Sequence, residues 1–280
     1  TIDFYLCYYN SKDWSIMKDI QKLNDDRNVD IQKVGIKHLD LPLIIQRKNN
    51  SNQVVSAKAK VNVSLPRHYK GTHMSRFVEV LSEWKNKNLL GVDIKGCLEK
   101  IIKNLEAKSG ELQFKFKYFI DKKSPVTGLS SPMGYESTFE GKIENGCYRF
   151  ILGVQVPVTT LCPCSKEISD HGAHNQRALI TVKVSYDETE HIWIEDLIEL
   201  IESCASCPVY PLLKREDEKF VTEKAYDNPK FVEDVLRDVV VKLRNHPVVN
   251  WFEVECEALE SIHNHSAWAY QQEDKSSKIS

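Results

Sequence analysis

Hydrophobic and polar residues alternate with a period of two along several stretches of the chain. Between residues 55 and 65 the odd-numbered positions are apolar and the even-numbered ones are polar, which predicts a strand with one buried face. The preceding stretch, 31–45, is predicted to be a strand rather than a helix because Gly35 and Pro42 interrupt it. Further strands are predicted at residues 112–120, 135–143, 148–160, 178–184 and 251–259, with a short last one ending at Tyr270.

Other intervals have apolar positions that repeat at about 3.6 residues, which is typical of amphipathic helices. Two such helices are predicted at residues 77–84 and 97–105, and two more at 194–204 and 228–245, where Pro229 lies near the helix start. Each half of the chain therefore has the order strand, strand, helix, helix, strand, strand, without obvious sequence identity between the halves. Antiparallel sheets with helices on one face are expected, which is an α+β fold.

Length and composition exclude several classes of protein. The 280 residues, 41% of them hydrophobic, can bury a full core, and the low glycine and proline content excludes a collagen-like or disordered chain. A net charge of −2 argues against coating of nucleic acid, so any anion site must be local. No apolar run approaches the ~20 residues of a membrane helix, and the first residues lack the basic start of a secretory signal. We therefore expect a soluble, cytoplasmic protein with neither a nucleic-acid nor a membrane partner.

Cysteines give the first indication of chemistry. Eight in 280 residues are too few for a disulfide scaffold, and in a reducing compartment clustered cysteines favour metal binding or catalysis. The polar loop at the end of the segment 156–177 combines two cysteines with two histidines, and thiolate and imidazole both suit zinc and related metals. These residues are Cys162, Cys164, His171 and His174.

Two sources of further ligands compete. Cys204 and Cys207 would complete a closed, four-sulfur structural zinc site, although free cysteines are also common as small buried hydrophobic residues. A mixed site with carboxylate and imidazole ligands would instead leave a position open for water. The residues available for the mixed site are Glu216, Asp217, Glu218, His263 and His265.

Charged residues elsewhere indicate further functional positions. By its place in the alternating pattern, Glu260 continues the buried face of the strand predicted at residues 251–259. Burying an unpaired carboxylate costs free energy, so such a residue is expected to be paired or functional. Glu233 lies on an exposed stripe of its predicted helix, and from the pattern alone it is a solvated surface charge. The turn 66–77 precedes a helix, whose free N–H groups could bind a phosphate, although it has neither a Walker nor a dinucleotide fingerprint. Its basic residues are Arg67, His68, Lys70, His73 and Arg76.

Four long motifs carry a resemblance to a known family. They are VSLPRHYKGTHMSRFVEVL, VPVTTLCPCSKEISDHGAHNQRA, LLKREDEKFVTEKAYDNPKFVEDVLRDV and LESIHNHSAWA, in this order over residues 30–270. Together they closely resemble GTP cyclohydrolase of type IB. The resemblance implies the tunnelling fold and a homotetramer with active sites at subunit interfaces. With that fold we divide the chain into an N-terminal segment, 1–30, tandem modules at 31–146 and 147–270, and a disordered tail, 271–280.

The resemblance also implies a reaction and a set of site residues. The enzyme would open the imidazole ring of GTP, release C8 as formate and form 7,8-dihydroneopterin triphosphate for folate-type pterin synthesis. A bound divalent ion, zinc, manganese or iron, would lower the pKa of a water molecule for attack on C8. Glu216 stands where the family usually has proline, so Glu218 is preferred over its neighbours by alignment only. The implied metal ligands are Cys162, His174, Glu218 and His263, and Glu233 would anchor the purine.

The remaining roles stay open among several residues. Cys162, Glu260 and His265 are the catalytic candidates, and Glu260, His171 or His265 would shuttle protons. The triphosphate candidates are Arg67, His68, Lys70, Arg76 and Arg177. Two alternatives are a noncatalytic binding module stapled by zinc through the four clustered cysteines, and an NADPH-dependent, nitrile-reducing enzyme of the same fold.

Overall fold

Long strands with one apolar face dominate the computed structural model, which describes residues 20–275 apart from 22, 86, 90 and 92. Most of the predicted N-terminal segment lies outside the described residues. The strands are β1 Ile31–Gln46, β2 Asn52–Leu65, β3 Asn88–Leu89, β4 Gly110–Lys123, β5 Ser130–Glu144, β6 Cys147–Leu161, β7 Asn175–Ser185, β8 Cys207–Pro208, β9 Trp251–Ala258 and β10 Ala267–Asp274. The helices are α1 Met74–Trp84, α2 Asp93–Asn104, α3 Pro163–Ile168, α4 Ile194–Glu202, α5 Arg215–Asp227 and α6 Val232–Asn245.

All described strands belong to one sheet, with the order β10-β9-β7-β6-β5-β4-β2-β1-β3 and with β8 beside β6. The long strands are antiparallel to their neighbours, and only the short β3 runs parallel to β1. The longer helices interrupt this meander twice, between β2 and β4 and between β7 and β9, and the short α3 lies between β6 and β7. The predicted repeat of strand, strand, helix, helix, strand, strand and the α+β class are therefore confirmed.

The alternation along each strand separates a packed face from an open one. In β2, Ala57, Ala59 and Val61 are buried, whereas Lys58 and Lys60 between them are exposed. The buried face joins α1, α2, α4 and α6 in one continuous apolar core. The parity predicted from residues 55–65 is thus confirmed, with burial of the apolar face as its physical cause.

In the second half of the chain one helix is absent from the prediction and one predicted boundary is wrong. Helix α5 is not predicted by the pattern, because only Asp217 and Ala225 are buried in it and its apolar periodicity is weak. The tail predicted from residue 271 begins too early, because β10 continues to Asp274. Pairing of Gln271 with Val254 in β9 and an ion pair from Arg244 Nε to Glu273 Oε1 at 2.9 Å hold this part of the strand. Residues 276–280 lie outside the described residues.

The register defines two ends of the sheet. Leu161 lies opposite Asn175, and Ala258 pairs with both Ala178 and Ala267, so these residues mark the β6 C-terminal end. At the β6 N-terminal end lie the last residues of β2 and β5 and the first residues of β4 and β6. Every functional residue proposed above can be placed relative to these two ends.

A membrane-spanning helix is not found among the described residues, where no helix combines the length and the apolar character that crossing a bilayer requires.

Candidate active site

Cys162 and His174 lie side by side where β6 ends and β7 begins. The Cys162 N–H donates to the His174 carbonyl at 3.1 Å, which extends the strand pairing by one residue pair. Pro163 begins α3, and the Cys162 Sγ accepts a hydrogen bond from the Ser165 N–H at 3.4 Å. The Ser165 hydroxyl in turn accepts from the His174 N–H at 3.2 Å. A short helix and a sheet hydrogen bond therefore hold the two predicted ligands together.

The His174 ring is half-buried and has two acceptors beside one nitrogen. Its Nδ1 lies 3.0 Å from Gln176 Oε1 and 4.0 Å from Glu260 Oε2. Glu260 is brought close because the Leu259 N–H donates to the Arg177 carbonyl at 2.9 Å, just beyond the end of β9. The Glu260 side chain is 13% exposed, in agreement with the buried parity expected for it. Cys162, His174 and Glu260 thus form the centre of the candidate site.

Glu233 lies at the same end of the sheet, in the first turn of α6. The segment before this helix is attached to the end of β6, because the Lys230 N–H donates to the Leu161 carbonyl at 3.0 Å. Burial raises the pKa of the Cys256 thiol to about 12, and the negative charge of Glu233 adds to that shift. Glu233 is itself exposed, so its carboxylate is open to a ligand.

His263 and His265 lie in the loop between β9 and β10, also at the β6 C-terminal end. Both are exposed, and their rings are stacked with centroids 5.1 Å apart and an interplanar angle of 16°. The loop therefore presents two imidazoles to solvent near the centre of the site.

The three adjacent carboxylates of α5 have different environments. Glu216 and Glu218 are exposed, whereas Asp217 is fully buried. Burial alone would raise the pKa of Asp217, but hydrogen bonds to both of its oxygens hold that pKa below its ordinary value. Because each oxygen already accepts two hydrogen bonds, Asp217 has no free position for a metal. The donors are the Lys214 N–H at 2.9 Å, the Val126 N–H at 2.8 Å, and the Thr127 N–H at 2.9 Å and hydroxyl at 2.7 Å.

A cleft of about 490 Å³ opens between α5 and the ends of β6 and β7. His171 and Arg177, both predicted site residues, line it together with Tyr210 and Tyr226. Its volume is within the range of small-ligand sites. The cleft thus places a cation and aromatic rings at the same end of the sheet as Cys162, His174 and Glu260, none of which lines it.

The four predicted metal ligands do not form one close cluster in the structure. Among the residues described, no three His, Cys, Asp or Glu side chains are close enough together to hold an ion. Cys162 and His174 are adjacent, while Glu218 and His263 project from separate elements. The donor types nevertheless fit a divalent ion, because one thiolate, two imidazoles and one carboxylate match mixed catalytic sites.

The four-sulfur alternative does not fit this part of the structure. Cys204 and Cys207 are each 1% exposed, and the Cys204 Sγ donates to the Leu200 carbonyl at 3.3 Å. Burial raises the pKa of both thiols, which disfavours the thiolate that a metal requires. Cys164 is exposed on α3. The buried pair therefore packs as small hydrophobic residues.

The basic turn lies at the other end of the sheet. It follows Leu65, at the β6 N-terminal end, and the 15 residues of β6 span roughly 45 Å. Arg67 donates its N–H to Asp30 Oδ1 at 2.9 Å, and Arg76 Nη1 donates to the Asn104 carbonyl at 2.9 Å. Within one chain the structure does not bring the turn to Cys162, and of the triphosphate candidates only Arg177 lies at the same end of the sheet as Cys162. The residues at the distant end are Arg67, His68, Lys70 and Arg76.

Two residues at the site, Thr160 and Gln176, were not predicted from the sequence as participants, and they face each other across β6 and β7. Asp217, a candidate ligand from the sequence, instead anchors α5. Strand parity offered a signal for Gln176, since it lies two residues beyond His174 and so on the same face.

Comparison with known proteins gives one consistent family. A family model described as type I GTP cyclohydrolase folE2 matches residues 17–269. GTP cyclohydrolase FolE2 of Geotalea uraniireducens (strain Rf4) is 51% identical over 262 residues, 94% of this chain and 95% of that protein. GTP cyclohydrolase FolE2 of Thermosipho africanus (strain TCF52B) is 50% identical over 256 residues, 90% of this chain and 96% of that protein.

Solved structures show the fold. A uricase of Bacillus fastidious aligns with a TM-score of 0.52 at 8% identity, over 88% of this chain and 93% of that one. The R298C urate oxidase of Bacillus sp. TB-90 aligns with a TM-score of 0.51 at 8% identity, over 87% of this chain and 99% of that one. These are tunnelling-fold proteins, which confirms the predicted fold.

We expect Asp217→Asn to lower the urea midpoint at pH 7, because the amide would turn a donor towards N–H groups that now point at a carboxylate. The pKa of Asp217 is lower in the folded state than its ordinary value of about 3.9, so its contribution to stability is present above that pH and is lost as the pH falls. The difference from the parent should therefore shrink below about pH 4. Asp227→Asn, at the exposed end of the same helix, is the control, and equal midpoints at pH 7 for Asp217→Asn and parent would contradict the anchoring role.

Proposed function

The chain belongs to the type I GTP cyclohydrolase FolE2 family and is a GTP cyclohydrolase of folate-type pterin biosynthesis, and we propose that it works with one divalent metal ion per site. The proposed ligands are Cys162, His174, Glu218 and His263. The observation that carries this proposal is the pairing of Cys162 with His174 at the end of β6, with the Glu260 carboxylate 4.0 Å from the His174 ring nitrogen. Family membership also excludes the NADPH-dependent nitrile reductase.

The reaction requires an activated water molecule and controlled proton transfer. When bound, zinc, manganese or iron would supply the acidity that activates water for attack on C8 of the purine. Glu260 is the proposed proton carrier, because its carboxylate is largely shielded and lies beside His174. His265 and His171 are the other candidates, one stacked on His263 and one in the cleft wall. Protons moved in this way would accompany ring opening and release of formate.

Glu233 is proposed to select guanine. Its carboxylate can accept hydrogen bonds from N1–H and from the 2-amino group, an edge that adenine does not offer. Once a bound nucleotide shields Glu233 from water, a base without these donors would leave the carboxylate unpaired, so the wrong base is rejected strongly. The exposed position of Glu233 in the first turn of α6, beside the end of β6, supports this role.

The proposed active form is a homotetramer with sites between subunits. The basic turn and Cys162 lie at opposite ends of one sheet, farther apart than a nucleoside triphosphate can reach. In the described part of one chain, β10 pairs only with β9, and β1 has a neighbour on its outer side only at Ile44 and Ile45. Those open edges allow a second copy to bring its basic turn to the metal ligands.

Cys162→Ala tests the metal proposal. We expect loss of bound metal and a fall in formate release of more than about 100-fold, beyond the range for residues that only support a ligand. Metal content and formate from GTP are the measurements. Cys164→Ala, in the same turn and exposed, should keep both; parental formate release by Cys162→Ala would overturn the proposal.

Glu233→Gln tests the guanine contact. The dissociation constant for GTP should rise about 10- to 100-fold, the effect of losing hydrogen bonds to a charged group. Metal content should stay at the parental value, since Glu233 is not a proposed ligand. Glu223→Gln, an exposed glutamate of α5, is the control. Loss of metal from the Glu233 variant would show that its role is misassigned.

Mixing two inactive variants tests the shared site. Cys162→Ala and the double variant Arg67→Ala/Lys70→Ala are unfolded together and refolded as mixed oligomers. If each site takes its ligands from one chain and its basic turn from another, roughly a quarter of the sites in a random 1:1 assembly are intact. Formate release should return to about that level. A mixture that stays inactive, although light scattering shows tetramers, would contradict the shared site.

A further inference from the structure

Gln176 contacts the ring of His174 and is fixed at its other end. Its Oε1 lies 3.0 Å from His174 Nδ1, and its Nε2 donates to the Thr160 hydroxyl at 3.1 Å. Thr160 is 1% exposed and is the direct cross-strand partner of Gln176 in the pairing of β6 with β7. The amide is therefore held between a buried hydroxyl and the imidazole, which limits its rotation.

These contacts determine which ring nitrogen carries the proton. With the amide oriented so that its Nε2 donates to Thr160, Oε1 faces His174 Nδ1. Because a carbonyl oxygen only accepts hydrogen bonds, Nδ1 is the nitrogen that donates. The Glu260 carboxylate, 4.0 Å from the same nitrogen, places a negative charge beside that N–H. A neutral imidazole has one N–H, so the lone pair is left on Nε2.

We propose that Gln176 is a positioning residue that holds His174 in the Nδ1–H form and thereby makes Nε2 its metal-binding atom. This inference rests on the metal site proposed above. Groups that orient a ligating histidine in this way typically contribute a factor of 10 to 100 in metal affinity. Gln176 would act before any metal arrives, because the ring is oriented by groups of the chain itself.

The chain offers a matched control for removing the amide. Gln155 Nε2 donates to the Thr181 hydroxyl at 3.3 Å, and these two residues are also direct partners across β6 and β7. Gln155→Ala thus removes the same kind of cross-strand bond from the same pair of strands, away from His174. Both Gln155 and Gln176 are half-buried.

The first measurement is Zn²⁺ affinity of the metal-free, full-length chain, titrated against a chromophoric chelator. Gln176→Ala should raise the dissociation constant about 10- to 100-fold, and Gln155→Ala should keep the parental value. Unchanged affinity in Gln176→Ala would overturn the inference.

The second measurement separates orientation of the ring from general damage to the fold. Nδ-methylhistidine at position 174 leaves the lone pair permanently on Nε2, and the small side chain in Gln176→Ala leaves room for the methyl group. This doubly altered chain should regain Zn²⁺ affinity to within about tenfold of the parent. Nε-methylhistidine at the same position should prevent binding by His174.

Three results would contradict the inference, and a fourth would show that the proposed metal site is itself wrong. The role of Gln176 is rejected if Gln176→Ala binds Zn²⁺ with the parental affinity. It is also rejected if Nδ-methylhistidine at position 174 does not restore Zn²⁺ affinity to Gln176→Ala, or if the chain with Nε-methylhistidine binds Zn²⁺ tightly. Cys162→Ala is run in the same titration. If that variant also binds Zn²⁺ like the parent, the proposed metal site is itself wrong, whereas its loss of Zn²⁺ beside a normal Gln176→Ala rejects only the inference.

Discussion

The pairing of β6 with β7 is the constraint on which the candidate site depends. The register that sets Leu161 opposite Asn175 also brings the Cys162 N–H to the His174 carbonyl, so a sheet hydrogen bond sets the spacing of the two residues. A slip of one residue would turn every side chain of a strand to the other face. Such a slip would expose residues of the core, because Val156 and its partner Ile180 are fully buried. Packing of the core therefore maintains the geometry of the site.

Some elements bury little apolar surface in the core. Buried polar groups whose hydrogen bonds are all satisfied fix the position of these elements instead. Helix α5 buries little besides Asp217 and Ala225, so apolar packing alone fixes it weakly. Asp217 instead connects its first turn to Val126 and Thr127, in the loop between β4 and β5 of the other half of the chain. Removing one partner from such a buried group leaves several donors unsatisfied. The wall of the cleft in one half of the chain thus depends on a loop from the other half.

Most of the fold could be predicted because its information is local. The parity of residues 55–65 and the 3.6-residue periodicity of α6 each follow from one buried face. Helix α5 lacked that signal, and the end of β10 depends on pairing with β9, which no local pattern shows. At the site, Cys162 and His174 were recognisable by residue type. Asp217 and Glu218 could not be distinguished from the sequence, because they differ in burial. The distance between the basic turn and Cys162 could not be predicted either, because it depends on strand order and register.

Charge gives a physical reason for a site shared between copies. The β6 C-terminal end of one chain presents the carboxylates of Glu218, Glu233 and Glu260, with Arg177 as the predicted cation at the same end of the sheet. A triphosphate placed there without further cations would be repelled, and the repulsion is stronger in a partly buried cleft than in water. The basic turn carries the missing charge, but it lies at the other end of its own sheet. In the proposed assembly, one chain supplies the carboxylate that recognises guanine and a second supplies the cations that hold the triphosphate. Association of the chains then creates the electrostatic environment that GTP requires.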